Sequence, residues 1–292
     1  MLTYLPRDDL WHKLNSLTVL AFSGTIFLLA LLFSHPICLL LLAAIALTGL
    51  AEAGGRKEMR EFLYLSAPMA MAILVFNLLV SRSGTTLFYA GWPFSLEAAV
   101  YGLAMSLRLL ALTAAFGILS VSVRPEDLLN KSPFFAGRPG LALALGLRLF
   151  PVLLAEQERI VLAQRARGVR LASGPRLNRL RNLLAVWQPL LLNTLEKAWQ
   201  LGEAMQARGL GSGRRSVYKV ERWRREDFLA LAGIFAGLAG GIAAAWQGVA
   251  NFNFYPRLEP LFSFGHPWWL ALMAAGLSLP LIMAWRWRHW AK

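Results

Sequence analysis

Six long apolar stretches, residues 14–33, 36–53, 62–80, 96–122, 228–246 and 268–285, leave this chain few ways to fold. Each approaches or exceeds the roughly 20 apolar residues that carry a helix across a bilayer. The first two are separated only by Ser34 and His35, which predicts a tight helical hairpin. A soluble helical protein would need far more polar surface. Soluble domains carry about 25% charged residues, whereas this chain of 292 residues has 16% charged and 57% hydrophobic residues. Residues 1–11 are mixed and polar, with no small-residue cleavage site after a short apolar core, so no cleavable leader is expected. The expected class is an all-α membrane protein with about six transmembrane helices.

Charge placement orients these helices. Lys and Arg crowd cytoplasmic loops. With the N-terminus inside, Arg7, Lys13, Arg56, Lys57 and Arg60 fall on the cytoplasmic side, as do Arg286, Arg288 and Lys292. Residues 123–227 also fall inside, with 19 Lys and Arg against 9 Asp and Glu. Only Arg82 and Arg257 are left for the outside loops. Both termini are therefore expected in the cytoplasm, in a bacterial cytoplasmic membrane. Trp92, Trp246, Trp268, Trp269 and Trp285 stand at span ends, where indoles favour the interface. The net charge of +14 is explained by positive-inside loops lying against anionic lipid. No zinc-finger spacing and no aromatic-glycine RNA-binding string accompanies it, so no nucleic-acid partner is expected. The single Cys38 lies in an apolar span, which excludes an internal disulfide and suggests a buried, inert thiol.

Three regions follow: a membrane part of four helices over residues 1–122, a cytoplasmic region over 123–227, and a membrane part of two helices over 228–292. The middle region is the informative one. Pro125, Glu126, Asp127 and Leu128 read as a helix start, with Pro in the first turn and acids at the positive end. Two later runs, 141–168 and 183–209, share one plan: an apolar opening, a proline (Pro151, Pro189), an amphipathic stretch and a closing Ala-Arg-Gly. The closing triplets are Ala166-Arg167-Gly168 and Ala207-Arg208-Gly209. Glycine suits the positive φ of a helix C-terminus, and arginine there suits the negative end of the helix dipole. The alanine leaves room for a partner surface to approach. A duplicated plan suggests two equivalent contacts with a two-fold partner. These helices read as too charged to span and too apolar for water, and are expected at the membrane surface or against other proteins.

The strings Gly102-Leu103-Ala104-Met105-Ser106-Leu107-Arg108-Leu109-Leu110, Arg124-Pro125-Glu126-Asp127-Leu128-Leu129, Leu147-Arg148-Leu149-Phe150-Pro151-Val152-Leu153, Ala163-Gln164-Arg165-Ala166-Arg167-Gly168 and Ala204-Met205-Gln206-Ala207-Arg208-Gly209 resemble, in that order, the transmembrane T component of energy-coupling factor (ECF) transporters, the EcfT/CbiQ family. The resemblance covers residues 96–211 well and the N-terminal spans loosely. It implies that the segments beginning near Pro125, Leu141 and Leu183 are long cytoplasmic coupling helices. It implies that Arg167 and Arg208 insert into grooves on two ABC ATPase subunits. It further implies a substrate-binding membrane S component on the apolar faces, with Leu183, Leu184, Leu190, Leu191, Leu192 and Leu195 as candidate contacts. Such a subunit serves uptake of a vitamin or a transition-metal ion and is not itself an enzyme. ATP and Mg belong to the partner ATPases, and no cofactor or metal is expected in this chain.

Two residue-level readings stand beside the resemblance. Arg108 lies near the middle of the fourth span, where an ionisable group is costly and by default functional; the favoured reading is an arginine packed inside the bundle against backbone carbonyls or Asn77, holding the spans to the coupling helices. Gly233, Gly237 and Gly241 form a small-residue stripe suited to close helix packing. No Gly-x-x-x-x-Gly-Lys-Ser/Thr string is present, so the chain is not expected to hydrolyse ATP. His12, His35, His266 and His289 lack metal-ligand spacing. The competing reading is a stand-alone secondary transporter, which six spans would permit. Such carriers place acidic or polar groups at the midplane for coupling ions, and Arg108 is the one charge in that zone here.

Overall fold

A computed structural model describes residues 10–80, 87–89, 92–123, 138–168, 176–210, 212, 223–254 and 268–290. The expected helix starting at Pro125, the loop residues Arg82 and Arg257, and His266 lie outside the described residues. The helices are α1 (Leu10–Lys13), α2 (Ser16–Leu32), α3 (Pro36–Val80), α4 (Leu96–Ser122), α5 (Arg138–Ala166), α6 (Arg176–Ala207), α7 (Arg225–Trp246) and α8 (Trp268–Trp290). A short antiparallel ribbon, β1 (Leu87–Tyr89) with β2 (Trp92–Ser95), precedes α4. The protein is otherwise all-α. Its chain divides into two compact units: Met1–Leu128 with Glu221–Lys292, and Leu129–Val220.

The first unit is the membrane bundle. Its most informative element is α3, which carries helical structure through residues 55–58, where the sequence predicts a loop. A straight helix would hold Leu50 and Phe62 about 18 Å apart along its axis. Yet a Cβ on Gly117 would lie 3.1 Å from Leu50 and 3.8 Å from Phe62. Gly102, nearer the start of α4, would meet Leu74 and Asn77 at 3.3 and 3.2 Å. The chain therefore doubles back, and Gly54 and Gly55 stand at the bend, where helices kink most easily. Two arms result, Pro36–Gly54 and Met59–Val80, each long and apolar enough to cross a membrane. They flank α4 on neighbouring sides.

Contacts at the two ends show how the segments alternate. At one end Asn15, preceding α2, bonds Asp227 of α7; Arg288 of α8 pairs with Glu52 at 2.7 Å; and Lys13 sits over the Trp287 ring. His12 meets the Val121 carbonyl at the end of α4. At the other end the Ser34 and His35 amides both donate to the Ala250 carbonyl, and Phe252 packs edge-on against His35. Counting α2, the two arms of α3, α4, α7 and α8, six segments alternate in direction. The chain leaves and re-enters the bundle at the Asn15–Asp227 end. Between α7 and α8 the glycine stripe packs within the bundle: Gly233 abuts the Gly276 carbonyl and Gly237 abuts Leu277. Gly241 instead faces Leu29 of α2. Cys38 is a buried free thiol.

Arg108 explains how α2 ends. A 17-residue helix rises about 25 Å, less than the ~30 Å hydrocarbon thickness, so its terminal carbonyls need a partner other than bulk water. Arg108 Nη2 donates to the Phe33 carbonyl at 2.6 Å, placing a cation at the negative end of α2. Asn77 takes no part: its amide donates to the Ile73 carbonyl of its own helix.

The set of helices long and apolar enough to cross differs from the sequence expectation in two members: α2, at 17 residues, is shorter than the rest, and a helix outside the expected six joins them. Gly140–Ala166 also has the length and hydropathy of a span, and none of its window is buried. The expectation that this helix is too charged to cross therefore needs correction. Its charges cluster after Leu154, at Glu156, Glu158, Arg159 and Arg165, and leave only Arg148 in the preceding turns.

Candidate functional site

The second unit consists of α5 and α6, which are antiparallel. Contacts run in opposite order along the two helices: Gln164 reaches Ala185, Ile160 packs with Val186 and Leu190, and Glu156 reaches Asn193 and Lys197. Helices of 29 and 32 residues are about 43 and 48 Å long. They touch over only a few turns, so among the described residues most of each helix is unpartnered within the unit.

Each helix ends in the same way. Gly168 and Gly209 have φ of +83° and +78°, the left-handed conformation that favours glycine. At α6 the Gly209 amide donates to the Gln206 carbonyl at 2.9 Å and the Leu210 amide to the Met205 carbonyl at 3.0 Å. That pair of bonds is the Schellman closure of a helix. At α5 the Gly168 amide donates to the Arg165 carbonyl at 3.0 Å, the matching half of the same pattern. Helix α7 closes identically, with Gly248 at φ +77° and its amide on the Ala245 carbonyl, but Gln247 replaces the arginine. The glycine is thus a generic stop, and the arginine is the part that backbone geometry does not require.

Arg167 and Arg208 are exposed, as are Ala166 and Ala207. Among the described residues neither guanidinium has a side-chain partner. Because the helices are antiparallel, the two tips project to opposite ends of the pair. Arg208 lies roughly 35 Å beyond the Gln164–Ala185 contact along α6, counted at 1.5 Å per residue.

Five of the six candidate contact leucines on α6 are exposed: Leu183, Leu184, Leu191, Leu192 and Leu195, in company with Trp187 and Trp199. The sixth, Leu190, is not available as a surface contact. It is buried against Ile160 and Val186, because the helix face carrying it is the one that meets α5. An exposed apolar stripe of this length is not a feature of an isolated water-soluble helix pair.

Comparison with known proteins identifies the arrangement. A family model described as cobalt transport protein (CbiQ) matches residues 8–218. The chain belongs to the CbiQ family. Its relatives include proteins named energy-coupling factor transporter transmembrane protein EcfT. That of Exiguobacterium sibiricum is 27% identical over 239 residues, covering 77% of this chain and 90% of the relative. That of Bacillus subtilis is 30% identical over 247 residues, covering 77% and 89%. That of Staphylococcus aureus is 26% identical over 245 residues, covering 78% and 90%. The chain is a multi-pass transmembrane component of the ECF transporter type.

Three structural features of this CbiQ-family chain escape sequence patterning. Asp227 is fully buried and ties the starts of α2 and α7. Gln164 serves a carbonyl freed by Pro189. Glu156 is the hub of a small polar cluster. The proline offered the only sequence signal, since its missing N–H must leave a carbonyl four residues earlier without its helical donor.

Proposed function

We propose that this chain is the coupling subunit of an ECF-type importer, passing the motion of two cytoplasmic ABC ATPases to a substrate-binding S component in the membrane. The observation that carries this reading is the pair of exposed arginines at identically closed helix tips, projecting to opposite ends of one antiparallel unit. An arginine so presented can form a bidentate, charge-assisted pair with an acidic residue in an ATPase groove. Two tips tens of Å apart suit two grooves on two subunits. When nucleotide closes the ATPase pair the tips move relative to each other, and stiff helices carry that displacement to the stripe of Leu183, Leu184, Leu191, Leu192 and Leu195. The S component rests on that stripe. ATP and Mg act on the partners, and this chain contributes no catalytic group. The cargo is a vitamin or a transition-metal ion, the latter in keeping with the cobalt of the family description. The bundle end carrying Lys13, Arg224, Arg225 and Arg288 faces the cytoplasm, which puts both termini inside a bacterial inner membrane.

Reversing both charges, Arg167→Glu with Arg208→Glu, is expected to abolish recovery of the ATPases with the purified chain, while either change alone gives partial loss. Leu191→Asp, in a parallel pull-down, is expected to release the S component and retain the ATPases, because a charge left unpaired in an apolar contact is strongly disfavoured. ATPases that remain on the double arginine variant would refute the assignment, and ATPases lost from Leu191→Asp would show the two surfaces to be reversed.

A further inference from the structure

The crossing of α5 and α6 is secured by unusually little apolar contact. Ile160, Val186 and Leu190 are its buried residues, with Val161 packed beside them. So small a patch acts as a pivot, about which two long helices could swing. Polar contacts stand on both sides of it. On one side, Pro189 has no N–H, so the Ala185 carbonyl lacks its helical donor, and Gln164 Nε2 donates to that carbonyl at 3.1 Å. On the other side, Glu156 accepts from Asn193 Nδ2 at 3.2 Å and from Lys197 Nζ at 3.0 Å. Arg159, one turn along α5, lies 3.8 Å from the same carboxylate. The Glu156 side chain is 17% exposed and that of Lys197 42% exposed. From Ala185 to Lys197 the two attachment points are about 18 Å apart along α6. Ties on both flanks of a pivot oppose rotation in either sense.

We propose that Glu156 with Asn193 and Lys197, together with Gln164 on the Ala185 carbonyl, form a two-point brace that fixes the angle between α5 and α6. Glu156 is thereby a positioning residue for force transmission. The inference rests on the coupling role proposed above and adds to it: anchored tips transmit motion only if the crossing does not swing. Without the brace, movement of Arg167 and Arg208 changes the crossing angle instead of displacing the apolar stripe. ATP is then hydrolysed with little cargo moved.

A charge-exchange cycle tests this. Glu156→Lys, Lys197→Glu and the double variant are prepared in the full chain with Cys38 replaced, spin-labelled through cysteines at the exposed positions Ala142 and Ala204. The label distance is measured on the chain alone, and uptake per ATP hydrolysed on the complete transporter in proteoliposomes. Each single variant is expected to broaden the distance distribution and to lower uptake per ATP about tenfold, equivalent to about 1.4 kcal/mol. ATPase recovery is expected to stay intact, and the double variant to restore both the distance and the uptake ratio. An unchanged distance distribution in the single variants would overturn the brace. So would a broadened distribution with unchanged uptake per ATP, or a double variant no better than its parents. The coupling role itself is judged separately, by ATPase recovery on the Arg167→Glu, Arg208→Glu chain.

Discussion

Asp227→Ala removes a fully buried carboxylate that bonds two helix starts in the membrane bundle. Asp227 is 0% exposed. One oxygen accepts from the Asn15 amide at 2.7 Å and the Thr18 hydroxyl at 3.1 Å, and the other from the Arg224 amide at 2.9 Å. It therefore neutralises the positive ends of α2 and α7 together and joins two helices distant in sequence. Hydrogen bonds to a charged group contribute about 1.5–3 kcal/mol each, and alanine would also leave buried amides unsatisfied. Relief of the desolvated charge offsets part of this, so a net loss of about 3–5 kcal/mol is expected. For a chain of this size that corresponds to a fall in thermal midpoint of roughly 10 °C. The assay is thermal unfolding of the purified full chain in mild detergent, with exposed Glu158→Ala as the control. Thr18→Val is expected to cost less on its own and almost nothing in the Asp227→Ala background, since the two share one interaction. If Asp227→Ala melts with the control, or if Thr18→Val is fully additive to it, Asp227 does not tie the helices and the reasoning fails.

Two further perturbations probe the bundle. Arg108→Met deprives the Phe33 carbonyl of its donor, so amide exchange over residues 30–33 is expected to accelerate by about tenfold while the rest of α4 keeps its protection; unchanged exchange at the end of α2 would show that the carbonyl is served otherwise. For orientation, with Cys38 replaced, a cysteine at Gln247 is expected to react with an impermeant thiol reagent from outside and one at Arg225 to be protected until the membrane is opened, and the opposite pattern would invert the topology.

Apolar length made most of the bundle legible. Residues 96–122, 228–246 and 268–285 read as spans because the bilayer sets a minimum run that few other structures require, and α4, α7 and α8 occupy them. The connection carrying Arg56, Lys57 and Arg60 read as a loop because the apolar runs stop on either side of it, at residues 53 and 62. Helical structure nevertheless continues through it while the chain reverses, since packing of both arms on α4 outweighs local preference. Helix α5 read as an apolar opening followed by an amphipathic stretch, and the charges of the second half were weighed against the whole run, although the first half alone has the composition of a span. Asp227 was illegible because its partners, the Asn15 and Arg224 amides and the Thr18 hydroxyl, are distant in sequence or belong to the backbone. For Gln164, Pro189 marks the carbonyl that lacks a donor but not the side chain that supplies one.

The three left-handed glycines separate what the duplicated triplet owes to folding from what it owes to function. Gly168, Gly209 and Gly248 close three helices with φ between +77° and +83°. That geometry needs a residue without a Cβ and asks nothing of the residue before it. Helix α7 meets the requirement with Gln247 and ends beside the bundle. Helices α5 and α6 meet it with Arg167 and Arg208, whose guanidiniums are left without partners in the described chain and whose preceding residue is alanine. A structural stop accounts for the glycine in all three places, so it cannot account for an arginine found in only two. Those two are the tips of the one helix pair with long unpartnered faces. An unpaired guanidinium with a small neighbour, carried twice at the ends of one helix pair, is what the proposed coupling role asks for, because an acidic surface on another protein would complete each as a charge-assisted pair.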